Sequence, residues 1–153
     1  MAQIINGQYQ ITCLGGVDVN GAPTALFLGP IANSTSLTLY DISTTSLANL
    51  TWSVYSIAGT RSIFLMMGGS ALSMDQGNAI LLPASTVFGF SDIFALRLDE
   101  VSSGIAVAIN SHDGNVLDAH PNYQAGCTVA PYSWNGNTNQ KWRFVPVAAL
   151  PPT

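Results

Sequence analysis

Charged side chains are scarce in this sequence of 153 residues. Four Lys or Arg and eight Asp or Glu make up 8% of the chain, against about 25% in an ordinary soluble domain. Four cations are too few for the phosphate neutralisation on which nucleic-acid binding depends, so that class of protein is excluded. Apolar residues form 48% of the chain, which excludes a charge-driven disordered protein, because so much apolar surface drives collapse into a core.

Long hydrophobic runs and cysteine motifs are also missing. The run Ile63–Met67 ends at a glycine pair, far short of the ~20 apolar residues of a membrane span, so we predict no membrane insertion. Residues 1–7 contain neither a basic segment nor an apolar segment of a secretory signal, and we therefore expect a cytoplasmic protein. The two cysteines, Cys13 and Cys127, form no metal or redox motif. We expect buried free thiols, no metal site and no cofactor.

Short β-rich runs separated by Gly, Pro, Asn and Ser recur along the whole chain. Thr51–Ile57 alternates polar and apolar residues, which is typical of a strand with one wet face and one buried face. No window sustains apolar residues at helical spacing. The sequence therefore predicts an all-β domain with twelve strands: Tyr9–Cys13, Ala25–Gly29, Ser36–Tyr40, Thr51–Ile57, Ser62–Met67, Ser70–Met74, Ala79–Pro83, Phe94–Val101, Gly104–Ile109, Val116–Ala119, Cys127–Tyr132 and Lys141–Pro146.

A weak internal repeat underlies these strands. Trp52 and Trp142 are 90 residues apart (142 minus 52), and Leu96 lies close to the midpoint. An acidic residue that follows an apolar one also recurs, as Asp18, Asp75 and Asp118. We predict one domain, 1–153, built as a closed threefold barrel of three pseudo-equivalent units, approximately 7–58, 59–102 and 103–148. Trp52, Leu96 and Trp142 are expected at equivalent buried positions.

The third unit carries a family signature. His112–Asp118 ends with an acid after an apolar residue, and Val129–Trp142 contains an aromatic residue followed by Asn-Gln-Lys-Trp. This pattern resembles the ricin-B-type β-trefoil signature, in which an Asp and an aromatic residue precede Asn-Gln-x-Trp. The opening Asn6–Ile11 is similar to the first strand of small cytoplasmic β-trefoils of mushrooms, which include lectins, protease inhibitors and the lectin-like light subunit of tyrosinase. The resemblance implies a β-trefoil fold.

The same resemblance implies a carbohydrate-binding site in the third unit. Asp118 would offer carboxylate oxygens to adjacent sugar hydroxyls, and Asn139 would add a donor and an acceptor. Tyr132, eight residues before Gln140 (140 minus 132), would form a flat platform for a pyranose ring. Gln140 would brace the neighbouring loop, and His120 would rim the pocket and donate to a hydroxyl. The alternative is that the signature is scaffold only, because a fold does not determine a function.

The first two units depart from the signature. In the first, Asp18, Tyr40 and Asn49 predict a weaker second site, although Leu50 stands in place of the glutamine. In the second, Ile93–Phe94 replaces the Asn-Gln pair, and we expect no site there. The third unit is therefore expected to bind sugar best.

Catalytic motifs are absent from the sequence. His112 and His120 are the two side chains suited to acid–base work near neutral pH, and each lies close to an aspartate. No Gly-x-Ser-x-Gly, His-Glu-x-x-His or cysteine pair accompanies them. We interpret them as loop histidines and predict that the protein is not an enzyme.

Three functions remain open. The first is a non-catalytic, lectin-like carbohydrate-binding protein. The second is a β-trefoil protease inhibitor, for which Arg61 is the basic loop residue that could enter a trypsin-like pocket. The third is a non-catalytic subunit of a larger assembly, as in a tyrosinase complex. An apolar patch of Leu82, Phe88 and Phe90 is expected to bind another protein or a second copy of the chain.

Overall fold

The computed structural model describes residues 6–42, 47–56, 62–75, 77–83, 95–102, 106–120 and 123–149. Twelve strands lie in these ranges: β1 Gly7–Cys13, β2 Leu26–Pro30, β3 Leu37–Asp41, β4 Thr51–Ser56, β5 Ser62–Met67, β6 Ser70–Asp75, β7 Asn78–Pro83, β8 Leu96–Ser102, β9 Ala106–Asn110, β10 Val116–His120, β11 Thr128–Tyr132 and β12 Trp142–Ala149. Two short 3₁₀ turns, Leu47–Leu50 and Thr138–Gln140, precede β4 and β12. Within these ranges, no helix is long and apolar enough to cross a bilayer. The predicted twelve-stranded, all-β architecture is confirmed.

Six of the strands form a closed ring. β1 pairs with β12 on one side and with β4 on the other. β4 pairs with β5, β5 with β8, β8 with β9, and β9 with β12, which completes the circuit. All these pairings are antiparallel. A closed ring is stabilised because none of its strands is left as an unpaired sheet edge.

Three hairpins, β2–β3, β6–β7 and β10–β11, cover one end of the ring. They are joined to one another through the pair Val129 and Leu37 and through an isolated bridge between Ser36 and Ile80. The chain thus repeats one pattern of four strands in β1–β4, β5–β8 and β9–β12, which we call the first, second and third units. This arrangement is the β-trefoil that the sequence predicted.

The threefold relation is visible in the core. Trp52 on β4, Leu96 on β8 and Trp142 on β12 are fully buried on the fourth strands of their units. The indole N–H of Trp52 donates to the carbonyl oxygen of Leu28 at 3.0 Å, and that of Trp142 donates to the carbonyl oxygen of Leu117 at 3.0 Å. The prediction of equivalent buried positions is confirmed. Each bond also satisfies a ring donor that burial would otherwise leave unpaired.

These two bonds align the second strands of the first and third units. Leu28 on β2 corresponds to Leu117 on β10, so the residue after each, Gly29 or Asp118, occupies the same place in its unit. The hairpin registers agree, because Leu28 pairs with Leu39 and Leu117 pairs with Pro131. The next residues on the third strands, Tyr40 and Tyr132, therefore correspond as well.

Candidate functional site

The carboxylate of Asp118 is the centre of a buried polar network. Asp118 lies on β10 and is only 2% exposed. Its Oδ1 accepts from Asn139 Nδ2 at 2.9 Å and lies 2.7 Å from His120 Nδ1. Its Oδ2 accepts from Gln140 Nε2 at 2.8 Å. Hydrogen bonds to a charged acceptor are strong, and together they hold the carboxylate in one orientation.

The amide of Gln140 links this carboxylate to the loop between β11 and β12. Gln140 Nε2 also donates to the Ser133 carbonyl oxygen at 2.8 Å, and Gln140 Oε1 accepts from the Asn135 backbone N–H at 2.8 Å. Both amide hydrogens and the amide oxygen are therefore in use. The loop is fixed relative to Asp118 through one fully buried side chain.

Two exposed rings lie next to each other at the edge of this network. The imidazole of His120 is 41% exposed and Tyr132 is 54% exposed, and their ring centroids are 5.7 Å apart. An ionised carboxylate only accepts hydrogen bonds, so His120 Nδ1 is the donor in its contact with Asp118. His120 thus lies beside Asp118 at the rim of the network, and its donation to a ligand hydroxyl stays a prediction.

The amide oxygen of Asn139 is buried and has no hydrogen-bond partner among the described residues. Its amide nitrogen is held by Asp118, which fixes the direction of the oxygen. A buried acceptor without a partner costs free energy and is uncommon in folded proteins. The site therefore contains an unused acceptor next to its carboxylate.

The structure brings together all five residues that the signature placed in the third unit: Asp118, His120, Tyr132, Asn139 and Gln140. Sequence reasoning missed Trp134, which is 45% exposed in the same loop. The available signal was its position between the aromatic residue and the Asn-Gln pair, in a loop that contains Asn-Gly.

In the first unit, the place of the carboxylate is closed. A Cβ built on Gly29 would lie 2.4 Å from Leu50 Cδ2 and 3.1 Å from Tyr40 Cδ2. Leu50, which replaces the glutamine, thus packs directly against the glycine that replaces the aspartate. The hydroxyl of Tyr40 donates to the Pro30 carbonyl oxygen, and Asn49 is exposed.

Asp18, which was predicted for the second site, does not lie at the place that corresponds to Asp118. This residue lies in the loop between β1 and β2, where its Oδ1 accepts from the backbone N–H groups of Asn20 at 2.8 Å and Ala22 at 3.0 Å. Its own carbonyl oxygen accepts from Gln124 Nε2 of the third unit at 3.1 Å. The carboxylate of Asp18 shapes a turn, and the place that corresponds to Asp118 belongs to Gly29.

In the second unit, Ser73 is the residue at the place that corresponds to Asp118. It follows the buried Leu72 and is itself buried. Leu82 is half-buried and belongs to a small apolar cluster outside the main core. Four other predictions, on Arg61, Phe88, Phe90 and Ile93–Phe94, fall on residues outside the described ranges.

The two cysteines are free thiols. Burial raises the pKa of Cys13 to about 12 and that of Cys127 to about 11. Within the described ranges, no group of three or more His, Cys, Asp or Glu side chains is placed to hold a metal ion.

The ring of six strands and its three covering hairpins define the protein as a β-trefoil, and the buried acid–amide network of the third unit is consistent with the ricin-B type. A scan against protein-family models finds no match, and no curated protein sequence matches the chain.

Solved structures share the fold. ThreeFoil, a designed 3-fold symmetric protein, is 22% identical with a TM-score of 0.72, over 92% of this chain and 99% of that one. The Rhizoctonia solani agglutinin is 20% identical with a TM-score of 0.67, over 96% and 99%. A Polyporus squamosus lectin, bound to the epitope Neu5Acα2-6Galβ1-4GlcNAc, is 15% identical with a TM-score of 0.69, over 94% and 50%.

Other similar chains are longer proteins of which this chain covers a part. It spans 38% of Cry35Ab1 and 32% of an endo-β-galactosidase from Clostridium perfringens. Identities of 16% in both cases make this a likeness of fold alone.

Proposed function

We propose that the protein is a non-catalytic, lectin-like carbohydrate-binding protein and that it binds sugar through the third unit. The observation that carries the proposal is the Asp118 carboxylate, which is held by two buried amides and contacts His120, whose exposed ring lies next to that of Tyr132. Lectins among the β-trefoils of similar structure support the same class of ligand. Residues of this site would provide binding and orientation, with no chemical step.

A hydroxyl group is the ligand donor that suits this site. Of the three groups that contact the carboxylate, Asn139 and Gln140 are buried, whereas the imidazole of His120 is exposed. The imidazole is thus the contact that a ligand hydroxyl can replace at Oδ1. A second, neighbouring hydroxyl would then satisfy the unpaired Oδ1 of Asn139, once the ring of His120 has moved aside. Two adjacent hydroxyls and an apolar ring face are the common chemistry of pyranoses, and Tyr132 would cover that face.

A glycan array followed by isothermal titration calorimetry tests the proposal. We expect wild type to bind at least one class of glycan, and Asp118→Ala to weaken that binding by tenfold or more, since a hydrogen bond to a charged group contributes about 1.5–3 kcal/mol. Asp18→Ala is the matched control and should bind as wild type does. Loss of binding in Asp18→Ala with retention in Asp118→Ala would overturn the assignment to the third unit.

Variants at equivalent positions give a second comparison. Asn139→Ala should lose most of the affinity, whereas Asn49→Ala, at the corresponding place in the first unit, should have no effect. Circular dichroism and thermal melts must show that each variant is folded. If Asp118→Ala is unfolded, Tyr132→Ala serves instead, because this side chain is 54% exposed. A wild type that binds nothing on the array would refute the function.

His120→Ala separates two roles for the imidazole. If a ligand hydroxyl replaces it on Asp118, removing the ring removes a competitor, and affinity should be unchanged or higher. A fall of tenfold or more would show that His120 contacts the ligand directly.

A further inference from the structure

The indole of Trp134 is a large exposed ring that the proposed site does not use. It lies two residues after Tyr132, and the two side chains are 45% and 54% exposed. Tryptophan is highly buried on average in folded proteins, and the two other tryptophans of this chain, Trp52 and Trp142, are fully buried. The exposure of Trp134 is therefore a feature that the core does not explain.

The backbone on both sides of Trp134 is fixed by one amide. Gln140 Nε2 donates to the carbonyl oxygen of Ser133, and Gln140 Oε1 accepts from the N–H of Asn135, each at 2.8 Å. The same Nε2 donates to Asp118 Oδ2 at 2.8 Å. The fully buried side chain of Gln140 thus connects the backbone on both sides of Trp134 to the central carboxylate.

The loop after Trp134 is also held in place. The Asn135 side-chain oxygen accepts from the backbone N–H of Asn137 at 2.9 Å, and Gly136 adopts a φ of +80°, a conformation that favours glycine. An exposed aromatic on a fixed backbone loses little conformational freedom when a ligand covers it. Such preorganisation is characteristic of a binding surface.

Tyr132 and Trp134 are tied to the same carboxylate by different routes. The ring of Tyr132 contacts His120, which contacts Asp118 Oδ1, whereas Trp134 is connected through Gln140 to Oδ2. The Cα atoms of residues i and i+2 lie at most about 7 Å apart. The side chains of Tyr132 and Trp134 therefore start close enough together to contact neighbouring sugar rings. Two neighbouring platforms suit two consecutive rings of one ligand.

We propose that Trp134 forms a second subsite that takes the next ring of an oligosaccharide whose first ring occupies the Asp118 site. This inference rests on the proposed function and names its ligand class, a chain of at least two pyranose rings. The first ring would supply its hydroxyls to Asp118 and Asn139. The second ring would contribute an apolar face to the indole.

Tryptophan fluorescence reports on this subsite directly. Because Trp52 and Trp142 are buried, acrylamide should quench mainly Trp134 in the folded protein. We use two probe pairs, galactose with Galβ1-4GlcNAc, and N-acetylglucosamine with its β1-4 dimer. At saturation the disaccharide should protect Trp134 from acrylamide and shift its emission to the blue, whereas the monosaccharide of that pair should leave quenching unchanged.

Affinities of matched variants complete the test. Trp134→Ala should lower disaccharide affinity about fivefold to tenfold, the effect of one aromatic contact, and leave monosaccharide affinity within twofold. Trp134→Phe should restore most of the loss, and Tyr55→Ala, which removes an exposed aromatic from β4, should change neither affinity.

The outcomes separate the two proposals. If the monosaccharide and the disaccharide of each pair bind equally well and Trp134→Ala changes neither affinity, the subsite is overturned. The proposed function then still stands. If wild type binds neither pair nor any glycan on the array, the proposed function fails, and the subsite fails with it.

Discussion

Gly29 and Asp118 occupy the same place in the first and third units, each directly after a leucine whose carbonyl oxygen accepts a tryptophan N–H. The third unit uses that place for a carboxylate bound by two buried amides. The first unit fills it with the side chain of Leu50. One backbone position thus supports a polar network in one repeat and an apolar contact in another.

Gly29→Ala should destabilise the protein by about 1–3 kcal/mol, the usual cost of overpacking a core, because its Cβ would lie 2.4 Å from Leu50 Cδ2. Urea denaturation measures the effect. Gly69→Ala is the matched control, since nothing lies within 4 Å of its added Cβ, and it should change stability by less than about 0.5 kcal/mol. In a Leu50→Ala background, Gly29→Ala should lower the free energy of unfolding by less than it does in wild type. If the effects of the two substitutions simply add, the contact between them is contradicted.

Trp142→Phe should lower the free energy of unfolding by about 1–3 kcal/mol, because it leaves the buried Leu117 carbonyl oxygen without its indole donor. Trp52→Phe removes the same 3.0 Å bond to Leu28 and should have a similar cost. Trp142→Ala also removes a large buried ring and should cost about 3–5 kcal/mol. Trp134→Phe serves as the exposed control. Unequal losses for the Trp52 and Trp142 variants would show that the two units are not energetically equivalent.

Asp118→Ala should cost at least about 2 kcal/mol of stability, because it strands the buried amide nitrogens of Asn139 and Gln140. Asp18→Ala removes bonds within one loop and should cost about 1 kcal/mol or less. Thermal or urea unfolding of the two variants measures the difference. Equal stabilities of the two variants would mean that the buried network adds no more to the free energy of unfolding than the loop bonds of Asp18 do.

Stability should fall as pH rises above 9, because burial raises the pKa of Cys13 from 9.0 to about 12. Below pH 9 the thiol is neutral in both the folded and the unfolded chain. Between pH 9 and 12 the unfolded chain loses the proton while the folded protein retains it, so unfolding becomes more favourable. Denaturation midpoints measured across this range should decline less steeply in Cys13→Ala. An identical decline in both proteins would contradict the effect.

Thiol reactivity gives an independent check on burial. Because the thiolate is the reacting form, Cys13 and Cys127 should react slowly with Ellman's reagent at pH 8 in the folded protein. In urea both should react at the rate of an ordinary cysteine. Rapid labelling of the folded chain would show that the thiols are accessible.

The strands could be predicted because alternation of apolar and polar residues is a local property. Thr51–Ser56 and Ser62–Met67, for example, start where the sequence pattern predicted. Trp52 and Trp142 could be paired because both are large and apolar, lie in strand patterns and are 90 residues apart (142 minus 52). The cluster around Asp118 was predictable from a resemblance rather than from spacing alone.

The first-unit site could not be predicted from spacing, because loops differ in length between the units. β1 ends at Cys13 and β2 begins at Leu26, whereas β9 ends at Asn110 and β10 begins at Val116. Loops tolerate insertions, so Asp18 falls in the longer loop although, like Asp118, it follows an apolar residue. Trp134 was missed because an exposed aromatic in a loop has no periodicity that distinguishes it.

The pairing of β1 with β12 makes barrel closure the longest-range event of the fold. Gly7 pairs with Ala149, and the register continues to Cys13 and Trp142. Contacts between residues so distant in the sequence are formed late, because closing a long loop costs entropy before the contact repays it. On a ribosome the hairpins can therefore form as they emerge, but the ring is completed only after the last strand has been synthesised. Until then β1 has one free edge, which makes the nascent chain most open to mispairing with its neighbours.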